Sequence, residues 1–441
     1  MISLVMTLGA FAAMLVLARF KVPLAVAIIL GSALLGVEFA LPTRDIAWTA
    51  VTAPLQPMSI GLLCVLTLLL LISEIMKRTG QLEQIVSLAG LFFRRPAVTM
   101  AALPALIGLL PMPGGALFSA PMVHAAAGAK PVGGDLMSAI NYWWRHIWEY
   151  WWPLYPGIIL AMSLTQSSLV TFIAYQLPLS LGMVLCGLLL LRRVHPDLHR
   201  SADAAPPGTK LQLLRATSSI WIILAAWGVA AGIAYAIFGA HPPAPLPGKP
   251  ETLSQTTYRT AREMAPLVAG MLASLIWTAR TRNVSAGSVV RILLGKNMLS
   301  LLGLVVSVMM FQAMLQNVQA AQKIGQELNA LRVPVVLVVI VLPFVAGMVT
   351  GLAFGFVGIS FPIVLTLVQA MPDHPSLRPY AVLAYGCGHL GMMISPIHLC
   401  YVVSNQYFKT SFGPMSRQIA LPAALMAAIV AGYFVLLRMV L

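Results

Sequence analysis

Arginine, histidine and glutamate stand close together in the run Trp143-Trp144-Arg145-His146-Ile147-Trp148-Glu149-Tyr150-Trp151-Trp152, a stretch otherwise apolar enough to lie inside a membrane. An ionised side chain near the bilayer centre costs on the order of 3 kcal/mol on insertion scales, so such groups face a polar cavity, pair with one another and serve a pathway. Read as one helix, the segment puts Asn141, Arg145 and Glu149 at i, i+4 and i+8 on one face, with Tyr142 and His146 one position round. A guanidinium there can fork onto a carboxylate or phosphate, and Glu149 or His146 can carry a coupling proton. The competing reading is an internal Arg145–Glu149 pair that only ties the segment to its neighbours. Five tryptophans surround this helix at all angles, which suits an aromatic belt, a wall between two moving parts, or stacking on a solute.

A second polar set lies far along the chain, where His389, Ser395 and His398 surround Pro396. A lone histidine in a membrane helix often does no more than hydrogen-bond a neighbouring carbonyl. Gly386, Gly388 and Gly391 suit close helix packing better than ligand contact. Enzyme motifs are missing: His146-Ile147-Trp148-Glu149 starts like a metalloprotease sequence, but Tyr150 stands where a second ligand histidine belongs. No enzymatic activity and no cofactor are expected.

The elements that position these residues follow from composition. With 59% hydrophobic and 9% charged residues over 441 positions, the chain falls far outside the soluble range. The first apolar stretch, 2–18, has neither a basic leader nor an Ala-x-Ala site, so it is expected to be a transmembrane helix and not a signal peptide. The formal charge of +15 does not point to nucleic acid, because the Lys and Arg residues sit in short loops between apolar spans, where they orient the chain in the bilayer. Cys64, Cys186, Cys387 and Cys400 lie in apolar segments without a Cys-x-x-Cys spacing, so they read as small buried hydrophobes, with neither disulfide nor zinc indicated.

Apolar spans of crossing length occur near 2–18, 23–41, 59–76, 168–191, 217–238, 264–279, 297–317 and 418–437. Two further regions, about 97–129 and 333–372, contain no Asp, Glu, Lys or Arg but have short arms interrupted by Pro111-Met112-Pro113-Gly114-Gly115 and by Gly347, Gly351, Gly355 and Gly358. Both read as re-entrant helical hairpins, whose irregular tips are tolerated at membrane depth only against protein or a cavity. After each comes a segment with a mid-span proline, Pro153 in 136–166 and Pro396 in 379–408, which reads as a broken helix whose freed backbone groups can meet ions or solute.

The chain also repeats. Leu103-Pro104-x-x-x-Gly108 matches Leu342-Pro343-x-x-x-Gly347, Ser119-x-Pro121 matches Ser360-x-Pro362, and Tyr142-x-x-x-His146 before Pro153 matches Tyr385-x-x-x-His389 before Pro396, all at an offset of about 240 residues. The expected organisation is a first repeat over 1–191, a cytoplasmic linker over 192–216 and a second repeat over 217–441. Each repeat crosses about five times, and odd repeats in series must be inverted relative to each other. An outside N-terminus places most Lys and Arg residues on the cytoplasmic side, which makes the chain a multi-pass protein of the cytoplasmic (inner) membrane.

Two inverted repeats with hairpins and broken helices resemble the ion-transporter superfamily of citrate, gluconate and dicarboxylate permeases. Within it, Leu109-Leu110-Pro111-Met112-Pro113-Gly114-Gly115-Ala116-Leu117-Phe118-Ser119-Ala120-Pro121-Met122 and Asn141-Tyr142-Trp143-Trp144-Arg145-His146-Ile147-Trp148-Glu149-Tyr150, followed by Trp152-Pro153-Leu154-Tyr155-Pro156-Gly157, look like the signatures of domain-of-unknown-function family 401. The resemblance implies an all-α polytopic membrane protein with an elevator-type transporter fold. The Ser-Asn-Thr tips that bind sodium and carboxylate in better understood superfamily members are replaced here by Pro-Met-Pro-Gly-Gly and Gly-Leu-Ala-Phe-Gly, so sodium coupling is not carried over.

The expected function is therefore secondary active transport of a small anionic solute, an organic acid by class, with proton coupling. The alternatives are an accessory membrane subunit without its own transport activity, or a passive anion channel. Expected solute-binding residues are Pro113, Gly114, Gly115 and Ser119 at the first hairpin, Asn141, Arg145 and His146 in the first broken helix, Gly351, Gly355 and Ser360 at the second hairpin, and His389 and Ser395 in the second broken helix. Coupling falls to Glu149, His146 and His398, with H+ or Na+ as the ion. Expected partners are the lipid bilayer, the anionic solute and a second copy in a homodimer.

Overall fold

A computed structural model describes residues 2–93, 95–109, 115–127, 132–194, 206–239, 253–320, 323, 324, 326, 327, 334–371, 373 and 375–441. Pro113 and Gly114 at the first hairpin tip, the 241–250 loop and the middle of the 192–216 linker lie outside them. All regular structure among the described residues is helical. The order is α1 (Ile2–Arg19), α2 (Leu24–Glu38), α3 (Thr43–Thr52), α4 (Pro57–Arg78), α5 (Gln81–Gly90), α6 (Pro96–Gly108), α7 (Ala116–Ala127), α8 (Gly134–Arg145), α9 (Pro156–Leu164) and α10 (Leu169–Leu191). It continues with α11 (Thr209–Ala216), α12 (Ser218–Phe238), α13 (Leu253–Thr281), α14 (Ala286–Leu293), α15 (Lys296–Asn317), α16 (Val335–Thr350), α17 (Ala353–Gln369), α18 (Leu377–Met393), α19 (Leu399–Tyr407) and α20 (Phe412–Val440).

Helix is the dictated choice, because a hydrocarbon solvent offers backbone N–H and C=O groups no partner outside the segment. By length and composition α1, α4, α10, α12, α15 and α20 can each cross a bilayer, which makes this a multi-pass membrane protein. Two of the expected spans differ from that pattern. The 23–41 span is only the 15-residue α2, and the 264–279 span is part of the 29-residue α13, whose N-terminal turns carry Arg262 and Glu263.

The chain forms two compact units that cut across its sequence halves. One takes Ala47–Leu88 and Ala205–Met310. In it α13 packs on both α4 and α12. A small polar lattice helps hold them: Ser274 Oγ donates to the Ser219 carbonyl at 2.8 Å, Ser219 Oγ meets Thr278 Oγ1 at 2.8 Å, and Gln81 Nε2 donates to the Ala216 carbonyl at 2.7 Å. Such short hydroxyls replace the hydrophobic drive that lipid removes.

The other unit takes Met1–Ile46, Ala89–Ala204 and Phe311–Leu441, and so holds both helical hairpins, α6–α7 and α16–α17, with both interrupted helices, α8–α9 and α18–α19. The two sets interleave, since α17 packs on α9 while α19 packs on α7 and α8. Matched residues make matched contacts. A Cβ on Gly108 would collide with the carbonyl of Arg145, and a Cβ on Gly347 with the carbonyl of Gly388. Both glycines stand in the first arm of a hairpin, and both carbonyls at the same register of the following helix.

Gly108→Ala and Gly347→Ala are each expected to lower the thermal midpoint of the purified protein, since forcing a methyl into a packed backbone contact costs about 1–3 kcal/mol or more. Gly228→Ala, on α12 with nothing within 4 Å of its Cβ position, should leave the midpoint unchanged or slightly raised. Equal midpoints for all three variants would contradict the tight approach.

The first helix is tied down by a carboxylate from elsewhere in the chain. Glu327 Oε1 and Oε2 accept the N–H groups of Ser3 and Leu4 at 2.9 and 2.8 Å, donors that the first turn of α1 leaves unsatisfied. Burial raises the Glu327 pKa, but these hydrogen bonds, Leu4 first, outweigh it and hold the carboxyl at about 2, below its ordinary 4.5. A depressed pKa stabilises the fold above the unfolded value and ceases to do so as pH falls through the folded one. Glu327→Gln should thus melt below the wild type at neutral pH, and the gap should close between pH 4.5 and about 2.

Candidate functional site

The two interrupted helices meet at their breaks. α8 ends at Arg145 with His146 as its C-cap, and the chain turns through 147–155 before α9 begins at Pro156. Prolines 153 and 156 donate no N–H and push the preceding residue out of the helical region; Tyr155 is extended at φ −85°, ψ 125°. The helix therefore unwinds well before Pro153. Glu149 does not continue the face of Asn141 and Arg145, as an unbroken helix would require, but sits in the turn. In the second half α18 ends at Met393 and α19 begins at Leu399, with Pro396 in the turn and His398 as the N-cap.

Side chains from the first break cap the first hairpin. A helix leaves its last four carbonyls without intrahelical donors. At the end of α6, Trp148 Nε1 donates to the Ala105 carbonyl at 2.7 Å, Arg145 Nη1 to Ile107 at 3.4 Å, Tyr155 Oη to Gly108 at 2.5 Å and Trp152 Nε1 to Leu109 at 2.8 Å. Trp143 Nε1 donates to Met183 O at 2.9 Å. Three of the five tryptophans are thus spent as indole donors to backbone, a task that neither a lipid belt nor a solute stack requires. In the second half Ser395 Oγ donates to the Met348 carbonyl at 2.7 Å, at the register of Trp152 on Leu109.

Each break is also gripped by a tyrosine from the opposite half. Tyr142 Oη donates to the Met393 carbonyl at 3.0 Å, and its sequence partner Tyr385 donates to the Glu149 carbonyl at 2.8 Å. Between these bonds lies a line of titratable groups. His398 Nε2 is 3.1 Å from His146 Nε2, Glu149 Oε1 is 3.8 Å from His146 Nε2, and Glu149 Oε2 is 3.9 Å from His389 Nε2. All are buried, with exposures of 0% for His389, 1% for His146, 6% for His398 and 7% for Glu149. His146 Nδ1 lies 2.6 Å from the Tyr142 carbonyl, which can only accept, so Nδ1 carries a proton and Nε2 is the atom that faces His398 and Glu149.

The expected solute-binding residues separate into two groups. His146 and His389 flank Glu149, with His398 against His146, and Arg145 precedes His146 at the end of α8. Gly351, at φ +62°, brings the second hairpin tip against the His398 backbone, 3.1 Å from where a Cβ would stand. The others are occupied elsewhere. Ser119 and Ser360 donate back into their own helices, to Ala116 and Phe356. Asn141 Nδ2 holds the Ala116 carbonyl beside the buried Gly115 at 3.0 Å and Ser404 Oγ at 2.9 Å, Gly355 packs on Thr350, and Ser395 caps α16.

Several buried polar atoms here have no hydrogen-bond partner among the described residues: both ring nitrogens of His389, Nδ1 of His398, Oη of Tyr150 and Oδ1 of Asn141. Two further residues here carry no sequence signal: Tyr150, whose ring lies 4.3 Å from that of His389, and Gln176, fully buried on α10 with both amide atoms unpartnered among the described residues. By its sequence surroundings Cys400 is a small hydrophobe. Its Sγ lies within 4.8 Å of the ligating nitrogens of His146 and His398. The spacing His398-x-Cys400 beside a helix break was the available signal.

Comparison with known proteins gives a family and a fold. A family model described as "Protein of unknown function (DUF401)" matches residues 2–205 and 261–437. Among solved structures the YdaH transporter of Alcanivorax borkumensis, described as having an unusual topology, is similar with a TM-score of 0.58 and 18% identity, over 90% of this chain and 88% of that one. No curated protein matches the chain.

Proposed function

The chain belongs to the DUF401 family, and we propose that it is a secondary active transporter moving a small anionic solute, an organic acid by class, across the cytoplasmic membrane by alternating access. One observation carries this reading: two helix breaks bring Arg145, Glu149 and three histidines, all buried, beside polar atoms with no partner among the described residues. An unmet buried donor or acceptor costs about 1–3 kcal/mol, so such a concentration argues for a solute, water or ion that completes it. Interrupted helices at mid-membrane are where transporters hold solute and coupling ion. The transporter fold of a solved neighbour supports the same class.

In this reading Arg145 holds the solute's anionic group and Glu149, between His146 and His389, holds the coupling cation. The hairpins are re-entrant and the repeats inverted, so each side of the membrane gains access in turn. All these residues belong to one compact unit, as expected if a single body carries the solute.

The test is uptake by proteoliposomes across an imposed proton or sodium gradient, screened over organic acids. Accumulation that follows the proton gradient is the expected result. Conductance independent of any gradient would favour a channel, and vesicles inert toward every solute would favour an accessory subunit.

A further inference from the structure

We infer that His146, His398 and Cys400 form a binding site for one transition-metal ion of the Zn2+ class, joining the two helix breaks. His146 closes the first interrupted helix, His398 and Cys400 open the second part of the other, and their ligand atoms all lie within 4.8 Å of one another in a buried position. The His146 and His398 Nε2 atoms are 3.1 Å apart. Two imidazoles bonded to one zinc at about 2 Å each, with that separation, subtend about 100° at the metal, close to a tetrahedral angle.

The surroundings fit ligation. His146 Nδ1 is committed to the Tyr142 carbonyl, the outer-shell bond that fixes a metal-binding tautomer and leaves Nε2 as the ligand atom. Cys400 stands in the first turn of α19, where the helix end favours an anionic ligand atom. Glu149 Oε1, 3.8 Å from His146 Nε2, adds a carboxylate beside the trio. A set of two imidazoles and one thiolate selects zinc and its first-row neighbours over Mg2+ or Ca2+, which take oxygen ligands. Because the ligands come from distant parts of the chain, no contiguous zinc motif marks them. On binding, the proton between the two Nε2 atoms moves to Nδ1 of His398, which has no partner among the described residues, and the thiol proton of Cys400 leaves to water.

The inference does not depend on the transport reading, since binding is measured on the full-length protein in detergent without a gradient. With Co2+ as probe, the wild type should bind one ion per chain and show a thiolate-to-cobalt charge-transfer band, displaced by Zn2+. Cys400→Ala should lose that band. His146→Gln and His398→Gln should each weaken binding by about a hundredfold, at least the effect of losing an outer-shell partner. Cys64→Ala, an exposed cysteine that is not one of the trio, should leave binding unchanged. If Cys400→Ala does not fold, Zn2+ protection of Cys400 against alkylation in the wild type decides the same question. No Co2+ binding by the wild type, a band that survives Cys400→Ala, or a Cys400 equally reactive with and without Zn2+ would overturn the site.

Discussion

Glu149→Gln is expected to abolish gradient-driven accumulation of solute and to spare counterflow. The amide keeps the size and polarity of the carboxyl, so the turn between α8 and α9 and the Tyr385 bond to the Glu149 carbonyl are retained. It cannot bind and release a cation, which severs solute movement from the ion gradient. Uptake should therefore fall to passive equilibration, while exchange of internal for external solute continues. The assay includes a chelator, because an ion on His146 and His398 would occupy histidines adjoining Glu149. If the Gln variant keeps the wild-type pH dependence, Glu149 is a structural partner of the histidines and the coupling assignment fails. Uptake that follows sodium instead moves the coupling from protons to sodium.

Arg145→Ala is expected to weaken solute binding by roughly ten- to a hundredfold, the loss of a charge-assisted hydrogen bond of about 1.5–3 kcal/mol. Arg145→Lys should recover part of it, because an ammonium keeps the charge but not the planar fork. Arg145 also donates Nη1 to the Ile107 carbonyl at the end of α6, a favourable place for a cation. The two roles separate experimentally: solute affinity from equilibrium binding, and the capping role from the thermal midpoint. A lower midpoint with unchanged affinity would make Arg145 a helix cap alone.

Much of the scaffold was legible without coordinates because a bilayer leaves few solutions. Backbone groups must be satisfied within each segment, so the apolar runs had to be helices, and α10 and α12 begin and end within a residue of the expected 168–191 and 217–238. Prolines and glycines placed the interruptions, since a missing N–H or Cβ is a property of the residue itself. The run around Arg145 and Glu149 stood out because burying charge in an apolar segment is costly wherever the segment folds.

Other features depend on where distant residues meet, and only the tertiary structure decided them. The tryptophans donate to the end of α6 because unsatisfied carbonyls happen to lie opposite them, which no periodicity reports. Ser119 and Ser360, matched in the two halves, bond into their own helices, because a serine hydroxyl can reach a carbonyl of the preceding turn whenever no better acceptor is near. Glu149 left the helical face of Arg145 because α8 unwinds at His146, ahead of the proline that announces the break. Cys400 became a neighbour of His146 through the packing of α19 on α8, a juxtaposition across some 250 residues that depends on the shape of two packed surfaces and not on the composition of either segment.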